Sequence, residues 1–220
     1  MSKPKALVLL SGGLDSATCL YYALDAGYSV VALSFDYQQR HQIELEYARE
    51  LAKTSGVEKH IVFNIDLRQI GASALTSEIS VPKGGADLER EDIIPITYVP
   101  ARNLVFLSIA SAVAEAEKIT SIFIGANALD YSGYPDCRPD FFNSFTDTVN
   151  LATREGREGR KFEIITPLLG LTKKEIIELA LKLKLPIEKT WSCYDPQGDQ
   201  PCGECDACLL RDRAAKEAGL

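Results

Sequence analysis

Residues 6–16 read ALVLLSGGLDS, a short apolar run followed by two glycines and the start of a helical pattern. The run has the length of a buried strand, and apolar residues then recur at helical spacing up to Gly27. Glycines let the backbone approach an anion, and the first turn of the following helix offers N–H groups and a positive dipole end. The stretch therefore predicts a strand, a turn and a helix that bind a phosphate or pyrophosphate.

The alternation of strand and helix patterns continues along the chain. Further strands are predicted at 30–35, 60–65, 120–125 and 162–166, and helices at 43–55, 103–117, 141–152 and 172–183. This order predicts an α/β fold with a doubly wound, mostly parallel sheet, in which ligands bind beyond the carboxyl ends of the strands. Residues 76–101 are rich in proline, glycine and charge, which indicates a long loop over such a site.

Length and charge exclude several classes of protein. The chain has 220 residues, 24 Lys+Arg against 31 Asp+Glu, a net charge of −7 and a sequence pI of about 5.0. An acidic chain disfavours a protein that grips nucleic acid through many phosphates. No apolar run approaches the ~20 residues of a membrane span, and the N-terminus lacks a signal-peptide core, so we expect a cytoplasmic protein.

Four of the six cysteines are crowded near the C-terminus, which favours a metal site over a disulfide network. The candidate ligands are Cys193, Cys202, Cys205 and Cys208. Four thiolates suit structural, tetrahedral zinc; an iron–sulfur cluster is the competing interpretation, but no Cys-Pro follows the last cysteine. We expect residues 1–185 to form a nucleotide-binding α/β domain and residues 186–220 to form a zinc-binding segment and C-terminal helix packed on it. Cys137 has no nearby thiol in sequence and is interpreted as a small packed residue.

The glycine turn is neither a Walker A sequence nor G-x-G-x-x-G, which disfavours γ-phosphoryl transfer through a lysine cradle. Its SGGLDS sequence resembles the pyrophosphate loop of the ATP pyrophosphatase (PP-loop) superfamily, whose members adenylate a substrate and release pyrophosphate. The resemblance implies an adenine nucleotide alpha hydrolase-like fold that uses ATP with Mg²⁺. Asp15 either faces that Mg²⁺ or points back to tie the loop. The residues expected to bind ATP or pyrophosphate are Leu10, Ser11, Gly12, Gly13, Leu14, Asp15, Ser16 and Arg102.

Three further segments resemble the 7-cyano-7-deazaguanine synthase family: FDYQQRH at 35–41, VPARN at 99–103 and DYSGYPDCRP at 130–139. Ala101 is a departure, because some relatives carry glycine there; both residues are small. The resemblance covers almost the whole chain. It implies an ATP-dependent ligase that converts 7-carboxy-7-deazaguanine and ammonia, through adenylated intermediates, into the nitrile precursor of queuosine. It also implies a homodimer.

A flat, purine-like acid needs hydrogen-bond partners on its edges, aromatic faces and a cation for its carboxylate. The segment 130–139 offers all three, with Asp130 or Asp136 as acceptors, Tyr131 or Tyr134 for stacking and Arg138 for a carboxylate or phosphate. His60 lies in a strand and is expected to be structural, whereas His41 is either a phosphate contact or a helix entry. The expected substrate-binding residues are Gln39, Arg40, His41, Asn103, Asp130, Tyr131, Tyr134, Asp136 and Arg138.

Two cations stand where a helix begins, although the helix dipole disfavours cations there. Lys173 follows Thr172 and precedes Glu175, which predicts a capping box, and Arg102 precedes the long helix. A nearby anion would remove the conflict, so Lys173 is expected to reach ATP or pyrophosphate, with a solvent-facing side chain as the alternative. Asp15, Lys173 and Arg102 are the expected catalytic residues.

The implied chemistry rests on positioning and on stabilising the leaving pyrophosphate, and it needs no covalent nucleophile. With two histidines and no spare domain, the chain has no glutaminase constellation, so ammonia must come from solution or from a partner. Two alternatives remain: a PP-loop tRNA thiolase, which should show a basic RNA-binding surface, and a non-enzymatic zinc-bearing regulatory protein.

Overall fold

The computed structural model describes residues 3–40, 42–85, 94–129 and 134–220, and its centre is a parallel β-sheet. The strands are β1 (Lys5–Leu9), β2 (Ser29–Asp36), β3 (Lys59–Asn64), β4 (Ser121–Phe123) and β5 (Glu163–Ile165). Their spatial order is β3-β2-β1-β4-β5, and every neighbouring pair is parallel. Each of the five strands predicted from apolar runs is confirmed.

Helices connect the strands, as a parallel sheet requires. They are α1 (Leu14–Asp25), α2 (Ile43–Ser55), α3 (Arg102–Ala116), α4 (Pro139–Ala152), α5 (Arg154–Arg157), α6 (Lys173–Lys182) and α7 (Asp206–Glu217). The predicted helices are confirmed to within two residues at each end. The predicted capping box is confirmed as well: Thr172 Oγ1 accepts from the Glu175 N–H at 3.3 Å, and Glu175 Oε2 accepts from the Thr172 N–H at 2.7 Å.

The sheet is covered on both faces, which confirms the doubly wound arrangement. Successive residues of β1 point to opposite sides, so Leu7 and Leu9 pack with one buried cluster while Ala6 and Val8 pack with the other. The first cluster contains residues of α3 and α4, and the second contains residues of α1, α2 and α6. Because both faces are buried, the inner strands β1 and β2 are nearly continuous apolar runs rather than alternating ones.

The strand order creates a crevice between β1 and β4. The chain leaves β1 to pair with β2 on one side and returns later to pair with β1 through β4 on the other. The carboxyl ends of two strands whose connections diverge in this way leave room for a ligand. The walls are close at its base, because a Cβ added to Gly125 would lie 2.7 Å from the carbonyl oxygen of Asp15.

The C-terminal segment packs on this core. Helix α7 lies against α6, and Ala214 joins the buried cluster under α1, α2 and α6. An antiparallel bridge between Lys83 and Cys205, with a Gly84 N–H to Glu204 carbonyl bond of 3.0 Å, joins the predicted long loop to the cysteine segment. None of the helices in the described ranges is both long and apolar enough to cross a membrane.

Candidate functional site

A pocket opens at the crevice between β1 and β4, and the glycine turn forms part of its lining. The pocket is bounded by the ends of β1, β2 and β4, the first residues of α1 and α3, and the segment before α7. Of the residues predicted to bind ATP or pyrophosphate, it is lined by Leu10, Ser11, Gly13, Leu14, Asp15, Ser16 and Arg102. The structure therefore brings nearly all of that predicted set together.

Two serines hold the turn in shape. The Ser11 N–H donates to Ser16 Oγ at 3.1 Å, the two hydroxyl oxygens lie 3.0 Å apart, and Ser16 Oγ donates to the Gly13 carbonyl at 3.0 Å. Gly13 is the N-cap of α1, and within the described residues no side chain caps this helix. The first N–H groups of α1 thus face a pocket and are suited to an anion.

Gly12 is buried behind the turn rather than in the pocket wall. Its φ of +96° lies in the left-handed region, and a Cβ there would overlap the carbonyl oxygen of Glu44 and lie 2.8 Å from the Ala48 nitrogen. The Gly12 carbonyl oxygen accepts from the backbone N–H of Trp191 at 2.9 Å. Glycine is thus required both for backbone conformation and for the close approach of α2.

Lys173 points into the pocket and pairs with Asp15. Lys173 Nζ lies 2.8 Å from both Asp15 carboxylate oxygens, and the two side chains are only 11% and 19% exposed. The solvent-facing alternative for Lys173 is therefore wrong; its neighbour Lys174 is the lysine that extends outward, 3.3 Å from Glu178. The pair places a cation and a carboxylate beside the glycine turn.

Three tyrosines of the pocket lie close to Arg102. Arg102 is the first residue of α3, and its Nη1 donates a long bond of 3.5 Å to the Tyr37 hydroxyl. Tyr134 and Tyr194 also line the pocket and lie near enough to interact electrostatically with the guanidinium. Burial raises the pKa of Tyr37 and of Tyr134 to about 12, so both hydroxyls are protonated at neutral pH and can donate hydrogen bonds.

Flat aromatic walls lie next to this cation. Phe35 and Phe106 stack with ring centroids 3.9 Å apart and an interplanar angle of 3°, and Tyr37 packs against Phe106 at 5.5 Å. The Tyr134 hydroxyl is held by Thr97 Oγ1 at 2.9 Å. Rigid aromatic faces beside a guanidinium suit a planar, anionic ligand.

Only some of the residues predicted to bind the substrate line the pocket. Asn103 and Tyr134 line the pocket. Gln39, Arg40, Asp136 and Arg138 lie away from its lining, and His41, Asp130 and Tyr131 fall outside the described residues. Gln39 accepts from the Tyr37 N–H at 3.0 Å, and Arg40 donates to the carbonyl oxygens of Ser77 and Ile79, both at 3.1 Å. Both therefore shape loops next to the pocket.

Asp136 caps the helix that carries Arg102. Its Oδ2 accepts from the Asn103 N–H at 2.8 Å, and the Asn103 side-chain amide returns a bond to the Asp136 carbonyl at 3.0 Å. This segment thus satisfies a backbone donor of the first turn of α3, which its own N-cap, Ala101, cannot do. Burial raises the pKa of the Asp136 carboxyl, and the Asn103 N–H and the Arg102 charge oppose that shift.

We expect Asp136→Asn to remove a pH-dependent part of the stability. Because the folded state holds the Asp136 proton more tightly than the unfolded state, this contribution is complete below the ordinary carboxyl pKa and is lost as pH rises through the raised one. Asparagine keeps the acceptor oxygen for Asn103 but does not titrate. Urea unfolding of both proteins at several pH values should show the stability of the wild type relative to the variant rising as pH falls from 7 towards 4. A difference that is constant with pH would contradict it.

The segment before α7 forms a wall of the pocket, as the sequence predicts for residues 191–210, although no individual residue of this wall was predicted. Trp191 and Tyr194 line it, together with Arg211 from α7. Arg211 donates to the carbonyl oxygens of Ile187 at 2.8 Å and Thr190 at 3.0 Å, and to Ser192 Oγ at 3.1 Å. Helix α7 therefore holds residues 187–192, whose Trp191 backbone N–H donates to the Gly12 carbonyl oxygen.

The four clustered cysteines come together as a candidate metal centre. The Sγ atoms of Cys193, Cys202, Cys205 and Cys208 all lie within 4.8 Å of one another, and none of the four forms a disulfide. Tetrahedral zinc with Zn–S bonds of ~2.3 Å would place the sulfurs roughly 3.8 Å apart, so the set fits such an ion. The Cys202 N–H points at the Cys193 sulfur from 3.2 Å, and such donors favour thiolates.

The chain matches a known protein family over nearly its whole length. Residues 5–219 match the family model described as queuosine biosynthesis protein QueC. A protein of Desulfatibacillum aliphaticivorans named 7-cyano-7-deazaguanine synthase is 55% identical over 100% of this chain and 95% of its own length. One of Thermoplasma acidophilum with the same name is 56% identical over 100% of this chain and 90% of its own length.

Among solved structures, NMN synthetase from Francisella tularensis is similar in fold. It superposes with a TM-score of 0.51 at 16% sequence identity, covering 99% of this chain and 88% of its own. At that identity the likeness concerns the fold alone.

Proposed function

The chain belongs to the family of the queuosine biosynthesis protein QueC, and from this premise we propose that it is an ATP-dependent ligase that converts 7-carboxy-7-deazaguanine and ammonia into 7-cyano-7-deazaguanine. The observation that carries the proposal is that one pocket is lined both by the glycine turn and by Arg102 and Tyr134. Adenylation requires the triphosphate and the flat acid to lie in contact, and a shared pocket provides this.

The proposed reaction has two halves, each consuming one ATP. In the first, the substrate carboxylate attacks the α-phosphorus of ATP and pyrophosphate leaves; ammonia then displaces AMP and forms the amide. In the second, the amide oxygen is adenylated with loss of another pyrophosphate, and AMP leaves with both amide protons removed, which forms the nitrile. The two ATP molecules take up the two waters that direct condensation would release.

The glycine turn and Lys173 are proposed to hold the phosphates. Helix α1 directs its first N–H groups at the pyrophosphate, and Lys173 adds a positive charge where the leaving group gains charge. Asp15, beside Lys173, would hold Mg²⁺, which would neutralise phosphate charge when bound. Lys173 then exchanges its carboxylate partner for a phosphate oxygen.

We also propose that the cysteine centre binds structural zinc and that the active enzyme is a homodimer. Four thiolates leave no open position for a substrate, so the metal would stabilise rather than react. Residues 186–220 are proposed to act as a wall of the unit formed by residues 1–185, because Trp191 and Arg211 line its pocket. Metal analysis and analytical ultracentrifugation test these two points.

The first test is an assay of both nucleotide and base. Purified protein with ATP, Mg²⁺, ammonium and 7-carboxy-7-deazaguanine is expected to yield two AMP for each nitrile, measured by mass spectrometry. Lys173→Met should lower kcat by about 100-fold, because a charge that stabilises the leaving pyrophosphate is lost. Glutamine in place of ammonium should give no product. A folded, metal-loaded protein that forms no acid-dependent AMP would refute the proposal.

The alternatives are less well supported by this chain. A tRNA thiolase needs a basic RNA-binding surface, whereas this chain carries a net charge of −7. A non-enzymatic zinc protein would have no use for a pocket that joins the glycine turn to Arg102. Retention of labelled tRNA by the protein would favour the tRNA thiolase. Absence of ATP binding would favour the non-enzymatic zinc protein.

A further inference from the structure

Arg102 is a cation that lacks an ion-pair partner within the part of the chain that the structure describes. Its hydrogen bond is the 3.5 Å contact with the Tyr37 hydroxyl, which is too long to satisfy a guanidinium. Asp136 lies near enough to attract it, but the Asp136 Oδ2 atom already accepts from the Asn103 backbone. A partly desolvated cation in a pocket gains most from an anionic ligand.

Two anions enter this pocket in the proposed reaction, the triphosphate and the substrate carboxylate. The glycine turn already has the N-terminus of α1 and Lys173 for phosphates. Arg102 instead stands among Tyr37, Tyr134 and Phe106, whose rings suit a flat base. A guanidinium can pair with a carboxylate through two parallel hydrogen bonds, which also fixes the plane of the substrate.

We propose that Arg102 binds the carboxylate of 7-carboxy-7-deazaguanine and thereby makes the site prefer the acid over the neutral amide formed from it. This inference rests on the proposed function. It also replaces two expectations from the sequence. Arg102, expected at ATP or pyrophosphate, meets the substrate carboxylate instead; Arg138, expected to pair with a carboxylate or phosphate, is exposed and lies away from the pocket lining.

The two halves of the reaction supply their own control. Acid and amide share the same ring and both consume ATP, but only the acid carries the charge that Arg102 would meet. A residue that binds the carboxylate therefore affects the first half alone. A residue that binds the triphosphate affects both halves equally.

The experiment compares wild type with Arg102→Gln, using the acid and the separately supplied amide as substrates. We expect kcat/KM for the acid to fall by about 100-fold, as for loss of one partner of a desolvated charge pair. We expect kcat/KM for the amide and KM for ATP to change by less than about fivefold. Arg102→Lys, which keeps the charge but not the paired geometry, should recover part of the acid activity and leave the amide reaction unchanged.

Binding without turnover gives a second readout. In calorimetric titrations with each compound alone, Arg102→Gln should weaken binding of the acid and leave binding of ATP unchanged. Retained ATP affinity also shows that the variant is folded. Equal losses with acid and amide, or an acid-selective loss in Arg138→Gln instead, would overturn the inference. A wild-type enzyme that converts neither compound would overturn the proposed function itself.

Discussion

Gly12→Ala is expected to abolish ATP binding and to lower the free energy of unfolding by about 3–5 kcal/mol. The left-handed backbone at φ +96° costs an alanine about 1–3 kcal/mol. The new Cβ would also overlap the Glu44 carbonyl oxygen and crowd the Ala48 nitrogen, so either α2 or the glycine turn must shift. Since the turn is the proposed phosphate site, the shift removes binding together with stability. Urea unfolding and ATP titration measure the two effects.

Gly27→Ala is the matched control for this prediction. Its φ is +89°, close to that of Gly12, but no atom lies within 4 Å of the position a Cβ would take. It should therefore cost only the backbone strain, about 1–3 kcal/mol, and leave ATP affinity unchanged. If the two variants were equally destabilised and bound ATP equally well, the prediction that close packing of Gly12 against α2 requires glycine would be wrong.

Cys208→Ser is expected to release the metal and to weaken ATP binding with it. Binding of structural zinc supplies on the order of 10 kcal/mol of free energy. The four ligands come together only in the folded state, so this free energy stabilises the folded C-terminal segment. Without it, α7 and the stretch from Ile187 to Ser192 lose their anchor, and the Trp191 bond to Gly12 loosens. We expect a melting temperature lower by about 20 °C or more, since 1 kcal/mol corresponds to about 2–4 °C in a chain of this size.

Cys19→Ala provides the comparison. Cys19 is a fully buried thiol in α1 and stands apart from the four-cysteine cluster. Its loss should cost about 1 kcal/mol of packing and leave one metal ion per chain, as measured by mass spectrometry of the metal content. A Cys208→Ser protein that kept its metal and its ATP affinity would contradict both the metal site and its link to the glycine turn.

The fold could be predicted from the sequence because its signals are local. Apolar runs of strand length, helical periodicity and the glycine turn each depend on neighbouring residues, and they gave the five strands and the main helices. The pairing of β1 with β4 follows from the doubly wound pattern rather than from any one residue.

The site was predicted only in part, because its remaining residues meet through tertiary structure. Asp136 looks like a substrate acceptor in the chain, yet it caps α3, since the 134–137 segment packs on the start of that helix. Tyr37 was overlooked beside Gln39 and Arg40, although it follows Leu33 and Phe35 at strand spacing and therefore shares their buried side. Arg211 carries no motif at all; only the docking of α7 brings it to the pocket.

The backbone bond between Trp191 and Gly12 joins residues that are 179 positions apart in the sequence. The entropy cost of closing a loop grows with its length, so contacts between distant residues form later in folding than contacts between neighbours. Strand β1 and helix α1 can form from adjacent residues, whereas the support behind the glycine turn needs Trp191 and Arg211 to dock on a sheet that is already assembled. We therefore expect the glycine turn to reach its final shape as one of the last steps of folding.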